Sequence, residues 1–136
     1  MNDDNFEIII PEINTKNGLK LCRGNLKIYI QSLRLFVSSI PASLEKMRSV
    51  TENSMKIYLT SVHNLKGMCD YIGAEEIRKS AKQLEDMADA CDLKGILELN
   101  GNLIRETEII ISCIKTWLDN NSGRIDTILS CGQNNG

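Results

Sequence analysis

The chain has 136 residues, a length that fits one domain, and its 42% hydrophobic and 25% charged residues match an ordinary globular protein. Sixteen Lys and Arg against eighteen Asp and Glu give a formal net charge of -2, which leaves no electrostatic footprint for nucleic acid or an anionic membrane. Two prolines and 4% aromatic residues speak against a turn-rich β-sandwich and a base-stacking platform, and a single histidine, His63, leaves little equipment for metal or triad chemistry.

Residues 1–16 read as a lead-in or linker. Pro11 and the polar run from Asn14 to Gly18 break any helix there, while Ile8, Ile9 and Ile10 either pack on the domain or belong to the linker. The start, Met1-Asn2-Asp3-Asp4, lacks the basic residues and apolar core of a signal peptide. A short turn over Gly18 to Arg23 stops at Gly24. Leu26, Tyr29, Leu33, Phe36 and Ile40 then recur at three- and four-residue steps, marking an amphipathic helix that ends near Pro41. The segment carrying Leu44, Met47 and Val50 either continues through a kink at Pro41 or starts a new helix capped by Ser43.

The next helix is predicted from about Ser54 to Tyr71, with Met55, Tyr58, Leu59, Val62, Leu65, Cys69 and Ile72 on one face and Gly73 as its stop. Ala74 to Ala90 restarts with Ile77, Ala81, Leu84, Met87 and Ala88 inward. A last long pattern opens near Asp92 or Leu93 and carries Ile96, Leu97, Leu103, Ile104, Ile110, Ile111, Ile114, Trp117 and Leu118; Gly95 and Gly101 weaken it without breaking it. Residues 121–136 read as a frayed tail. Strand alternation is missing, so the predicted fold is all-α, an antiparallel up-down-up-down four-helix bundle over residues 17–120 with a short helical lead-in.

Cys22, Cys69, Cys91, Cys113 and Cys131 are odd in number and far apart, with neither disulfide nor zinc spacing. They read as reduced thiols of a cytoplasmic protein, with Cys69, Cys91 and Cys113 buried as small hydrophobes. The longest apolar stretch, Ile109 to Ile111, is far too short to insert in a membrane.

At roughly 100° per residue, Val62, Leu65, Cys69, Tyr58 and Met55 fall between roughly 200° and 280° from His63, whereas Lys66, Gly67 and Asp70 fall within about 60° of it. His63 therefore faces away from the core. A neutral imidazole is a nucleophile at cytosolic pH, an ammonium one turn along attracts phosphoryl oxygens, and a glycine beside the ring leaves room for something bulky. A solvated lysine and a glycine placed by helix packing are the plain alternatives for each residue taken alone.

His63-Asn64-Leu65-Lys66-Gly67 followed by Ile72-Gly73-Ala74 resembles the H-x-L-K-G…(L/I)-G-A signature of histidine-containing phosphotransfer (HPt) domains. Gly18-Leu19 with Tyr29, Leu33 and Phe36 is similar to the opening helix of that family, and Leu84-Glu85 falls where it carries an L-E pair; the likeness covers residues 13 to 118. It implies an exposed phospho-accepting His63, a Lys66 that supports the phosphoryl group, a Gly67 that keeps the approach open, and a Glu85 that orients the imidazole through Nδ1. Glu85 paired with Lys82, or simply solvated, is the alternative. Met68 stands where a small residue is common, and Asp70 sits at the spacing for a weak pair with Lys66.

The implied function is a phosphocarrier in a two-component phosphorelay: His63 takes a phosphoryl group from the aspartyl phosphate of one receiver domain and passes it to another. The sequence offers no ATP site and no kinase equipment, so no cofactor of its own is expected and Mg²⁺ comes with the receiver. The expected partners are response-regulator receiver domains and a hybrid histidine kinase, with no nucleic acid, no membrane insertion, and a monomeric chain. Two other readings remain: a helical interaction module that keeps the fold without the chemistry, and a cysteine hydrolase pairing His63 with a thiol.

Overall fold

The computed structural model describes the backbone of residues 7–134 and the side chains of residues 7–130. The expectations for Met1 to Asp4, for the Cys131 thiol and for the last two residues of the tail lie outside the described residues. Six helices follow one another: α1 (Thr15–Leu21), α2 (Leu26–Arg48), α3 (Met55–Ile72), α4 (Glu75–Asp89), α5 (Leu93–Asn120) and α6 (Ser122–Asn134). Among the described residues there is no strand, and no helix is long and apolar enough to cross a membrane.

α2 packs on α3 and α5, and α4 packs on the same two, so the four long helices close a ring around one core. Its interior holds the residues that recur at helical spacing: Tyr29, Leu33, Phe36 and Ile40 from α2; Tyr58, Val62, Leu65 and Cys69 from α3; Ile77, Ala81 and Leu84 from α4; and Ile96, Leu103, Ile110 and Ile114 from α5. Leu97, expected inward, is 61% exposed. It stands one step round the helix from Ile96, which takes the core position.

Pro41 neither ends α2 nor starts a new helix; the helix runs through it to Arg48. Pro41 is exposed, so the carbonyl of Val37, which loses its N–H partner, lies on the side of the helix turned toward solvent. Ser43 consequently caps nothing: it is buried inside α2 and its Oγ accepts a hydrogen bond from Asn64 Nδ2 at 3.1 Å. That bond ties α2 to α3 one residue beyond His63.

The lead-in is built into the domain. Ile8 and Ile10 are buried in the core while Ile9 points outward. The polar run does not break a helix but begins one, because Asn14 caps α1 by accepting from the Asn17 N–H. Gly18 lets α1 cross the end of α3, since a Cβ there would stand 2.6 Å from both the Ile72 carbonyl carbon and Tyr29 Cε1. The Tyr29 hydroxyl donates to the Ile72 carbonyl at 2.8 Å, and Gly73, at φ 83, closes α3 in a left-handed conformation that glycine adopts freely.

The tail is not frayed over its described length. α6 seats Ile125 and Ile128 against Ile30 of α2, with Trp117 and Leu118 packed alongside, forming a small second cluster. Two buried isoleucines contribute about 2 kcal/mol each, enough to hold a 13-residue helix that would be marginal alone. Cys91 also departs from expectation. It is exposed, at φ 54, in the turn joining α4 to α5, whereas Cys69 is buried and Cys113 half-buried.

Candidate functional site

α3 is helical because its apolar residues recur every three or four positions, and that stripe faces the ring's interior. The opposite side carries His63, whose side chain is 70% exposed. Its Nδ1 lies 2.5 Å from Glu85 Oε2 on α4. The other carboxylate oxygen of Glu85 accepts from Lys66 Nζ at 2.6 Å. One carboxylate thus binds both the imidazole and the ammonium, and it does so from a sheltered position: the Glu85 side chain is 11% exposed and that of Lys66 18%.

Burial pushes the Glu85 pKa up, but hydrogen bonds from Lys66 and His63 and the charge of Lys66 outweigh it, and the net result lies below the ordinary carboxylate value. An ionised Glu85 acts only as an acceptor. It therefore selects the tautomer in which Nδ1 carries the proton and Nε2 presents its lone pair outward. Among the described residues Nε2 makes no hydrogen bond.

The neighbours of the ring differ on its two sides. Toward α4 three ion pairs lie near the ring: Asp70 with Arg78, Lys82 with Asp86 at 2.6 Å, and Lys66 with Glu85. Asp70 is thus not the partner of Lys66, because Arg78 reaches it across the α3–α4 turn. Lys82 likewise does not compete for Glu85. Toward α2 the surface is uncharged beside the ring. Asn64 bonds Ser43, and the Sδ of Met68 stands 3.4 Å from the Ser39 hydroxyl. Met68 fills the seam between α2 and α3 and so adds its bulk there.

A Cβ at Gly67 would meet no atom within 4 Å. Helical side chains lean toward the N-terminus, so one at this position would lie over the turn that carries His63. The glycine leaves that space clear.

Of the residues singled out in the sequence, the structure brings His63, Lys66 and Glu85 into one hydrogen-bonded group with Gly67 beside it. Sequence reasoning missed Arg78, Ser43 and Asn64. Their bonds cross between helices, and no local spacing announces them. The described thiols form no part of the site: burial drives the Cys69 thiol far above its ordinary pKa, and the nearby Asp70 charge raises it further. Among the described residues, no cluster of three or more His, Cys, Asp or Glu side chains fits a metal ion.

The ring of helices displays one imidazole on its outside, held from behind by a carboxylate. The family model of the Hpt domain matches residues 31–120, well over half of the sequence and a span that includes the four candidate residues, and the chain belongs to that family. Its members are phosphocarriers of two-component systems, not kinases, and they interact with receiver domains and histidine kinases. Neither a curated protein nor a solved structure matches the chain.

Proposed function

We propose that this chain relays a phosphoryl group between receiver-domain aspartates through a phosphohistidine at His63. The observation that carries this reading is the Nδ1–Glu85 hydrogen bond, which aims Nε2 at solvent from the middle of an open helix face. The Nε2 lone pair attacks the phosphorus of an aspartyl phosphate in line. The N–P bond forms, the acyl O–P bond breaks, and the aspartate leaves as a carboxylate. Nδ1 keeps its proton, so the ring becomes cationic, and the Glu85 carboxylate 2.5 Å away compensates that charge. The reverse sequence delivers the group to the next aspartate.

Lys66 supplies positive charge one turn from the acceptor while holding Glu85 ionised, and Gly67 keeps the approach clear. Mg²⁺ belongs to the receiver in this scheme. The closed ring and the short connections between its helices support an antiparallel up-down-up-down four-helix bundle as the scaffold. A monomeric cytoplasmic carrier working with a hybrid histidine kinase completes the reading.

The test is a two-step transfer. The chain is charged by a phosphorylated receiver domain, separated from it, and mixed with a second unphosphorylated receiver and Mg²⁺. The label is expected to move to the second receiver. A chain that takes up label and never releases it to any receiver contradicts the relay and favours a dead-end acceptor.

A further inference from the structure

We propose that the outer face of α5 centred on Gly101 is a self-pairing surface, against which a second copy of this chain lays its own α5 in the antiparallel direction. A glycine weakens a helix interior, and nothing inside the molecule requires this one, because a Cβ there would meet no atom within 4 Å. It lies in an open groove of about 480 Å³ between the end of α2 and α5. Leu97, one turn before it in the same groove, is 61% exposed, an apolar side chain with no cover. The glycine lets a second helix approach closely, and the leucine gives it something to bury.

The charges around Gly101 decide which helix fits and in which direction. At roughly 100° per residue, Lys94, Leu97, Glu98, Arg105 and Glu108 all fall within about 60° of Gly101. Lys94 stands seven residues before it and Glu108 seven after; Glu98 stands three before and Arg105 four after. In an antiparallel crossing at Gly101, Lys94 of each copy therefore meets Glu108 of the other, and Glu98 of each meets Arg105 of the other. Leu97 lies against the aliphatic stem of the facing Arg105. A parallel crossing would set every one of these charges against itself. Within one copy, Lys94 and Glu98 meet no opposite charge among the described residues. Glu108 accepts from Arg48 through Oε2, which leaves its second oxygen for Lys94 of the other copy. Arg48, the one charged residue of α2 in the groove, is held by Glu45 and Glu108. The other charges of α5 lie off this contact. Glu106 lines a separate cleft with Glu12 and Glu76, and Lys115 and Asp119 stand fourteen and eighteen residues past Gly101, whereas the facing helix begins eight residues before it.

Pairing of this kind leaves His63 free. α2 and α4 each pack on both α3 and α5, while α3 and α5 do not pack on each other, so these two stand at opposite corners of the ring. Two copies joined through α5 carry their His63 faces outward, at the far ends of the pair. The contact involves little more than one helix from each copy and falls at the small end of protein interfaces, so it is reversible, with a Kd of about 10⁻⁴ M. The monomeric carrier proposed above is the species that prevails below that concentration.

The experiment is analytical ultracentrifugation of the full chain from about 10 µM to about 1 mM at about 20 mM salt, a range that brackets the expected Kd. Wild type is expected to pass from monomer to dimer across that range. Glu98→Arg and Arg105→Glu each set like charges on both sides of the crossing and are expected to weaken pairing at least about tenfold. An equimolar mixture of these two variants is expected to pair again, because each copy then supplies the charge the other lacks. Gly101→Gln is expected to stay monomeric with a urea midpoint at or above that of wild type, which separates a blocked approach from a damaged fold. Wild type that remains monomeric at about 1 mM overturns the proposal and leaves the groove to a different partner or to none. Pairing that persists in every variant puts the contact on another face, and a mixture that fails to recover excludes the antiparallel crossing. A mass that grows beyond a dimer shows head-to-tail assembly instead of a two-fold pair. Each of these results overturns the proposal as well.

Discussion

His63 on α3 and Glu85 on α4 are joined by a 2.5 Å contact between Nδ1 and Oε2, and the same carboxylate is held on its other oxygen by Lys66. The exposed ring is therefore held by a sheltered group, so that in the proposed relay its reactivity would depend on a residue set behind it. Replacing Glu85 by Ala is expected to lower the rate of phosphoryl uptake about tenfold to a hundredfold, as for other groups that orient a reactive imidazole. Imidazole ¹⁵N shifts provide the independent readout, with the Nδ1–H tautomer dominant in wild type and depleted in the variant.

The carboxylate also links stability to pH. Its folded pKa is depressed, so its contribution is complete above the ordinary value of 4.5 and is lost as the pH falls through the folded value. Urea denaturation of wild type and Glu85→Gln should show the full gap in unfolding free energy above about pH 5, narrowing steadily toward about pH 3. A gap that widens on acidification would contradict the ionised, paired state.

Gly67 separates function from stability. Nothing crowds a Cβ at this position, so Gly67→Ala should stabilise the domain by about 1 kcal/mol through helix propensity. Gly67→Phe should fold equally well and yet transfer poorly, since its ring would cover the turn bearing His63. Gly18→Ala is the contrasting case. Its Cβ would meet the Ile72 backbone, and the expected loss of about 2 kcal/mol or more is read from the same urea curves.

α6 offers a direct check on the tail. Ile125→Ala is expected to cost about 2–4 kcal/mol in urea unfolding, because the side chain is buried against Ile30. A frayed tail would leave the midpoint unchanged.

The four long helices and the outward placement of His63 were legible because both follow from local periodicity, which needs only the spacing of Leu33, Phe36, Val62, Leu65 and their like. α6 carried a signal of the same kind in Ile125, Ile128 and Leu129, but the surrounding glycine and polar residues masked it. The continuity of α2 past Pro41 was not legible, since it depends on whether the Val37 carbonyl faces water. The role of Asp70 was not legible either: its spacing suits Lys66 on the same helix, and only the turn at Gly73 brings Arg78 to it. The family signature pointed to Glu85, but the sharing of its carboxylate between His63 and Lys66 is a relation between helices.

The most direct test of the central claim is to locate the phosphoryl group. Wild type and His63→Gln are incubated with a phosphorylated receiver, and the products are examined by tandem mass spectrometry with ³¹P NMR at alkaline pH. One acid-labile, base-stable phosphoryl group on Nε2 of His63, absent from the variant, is the predicted result. Label that persists in His63→Gln, or that maps to a carboxylate or a thiol, would contradict it.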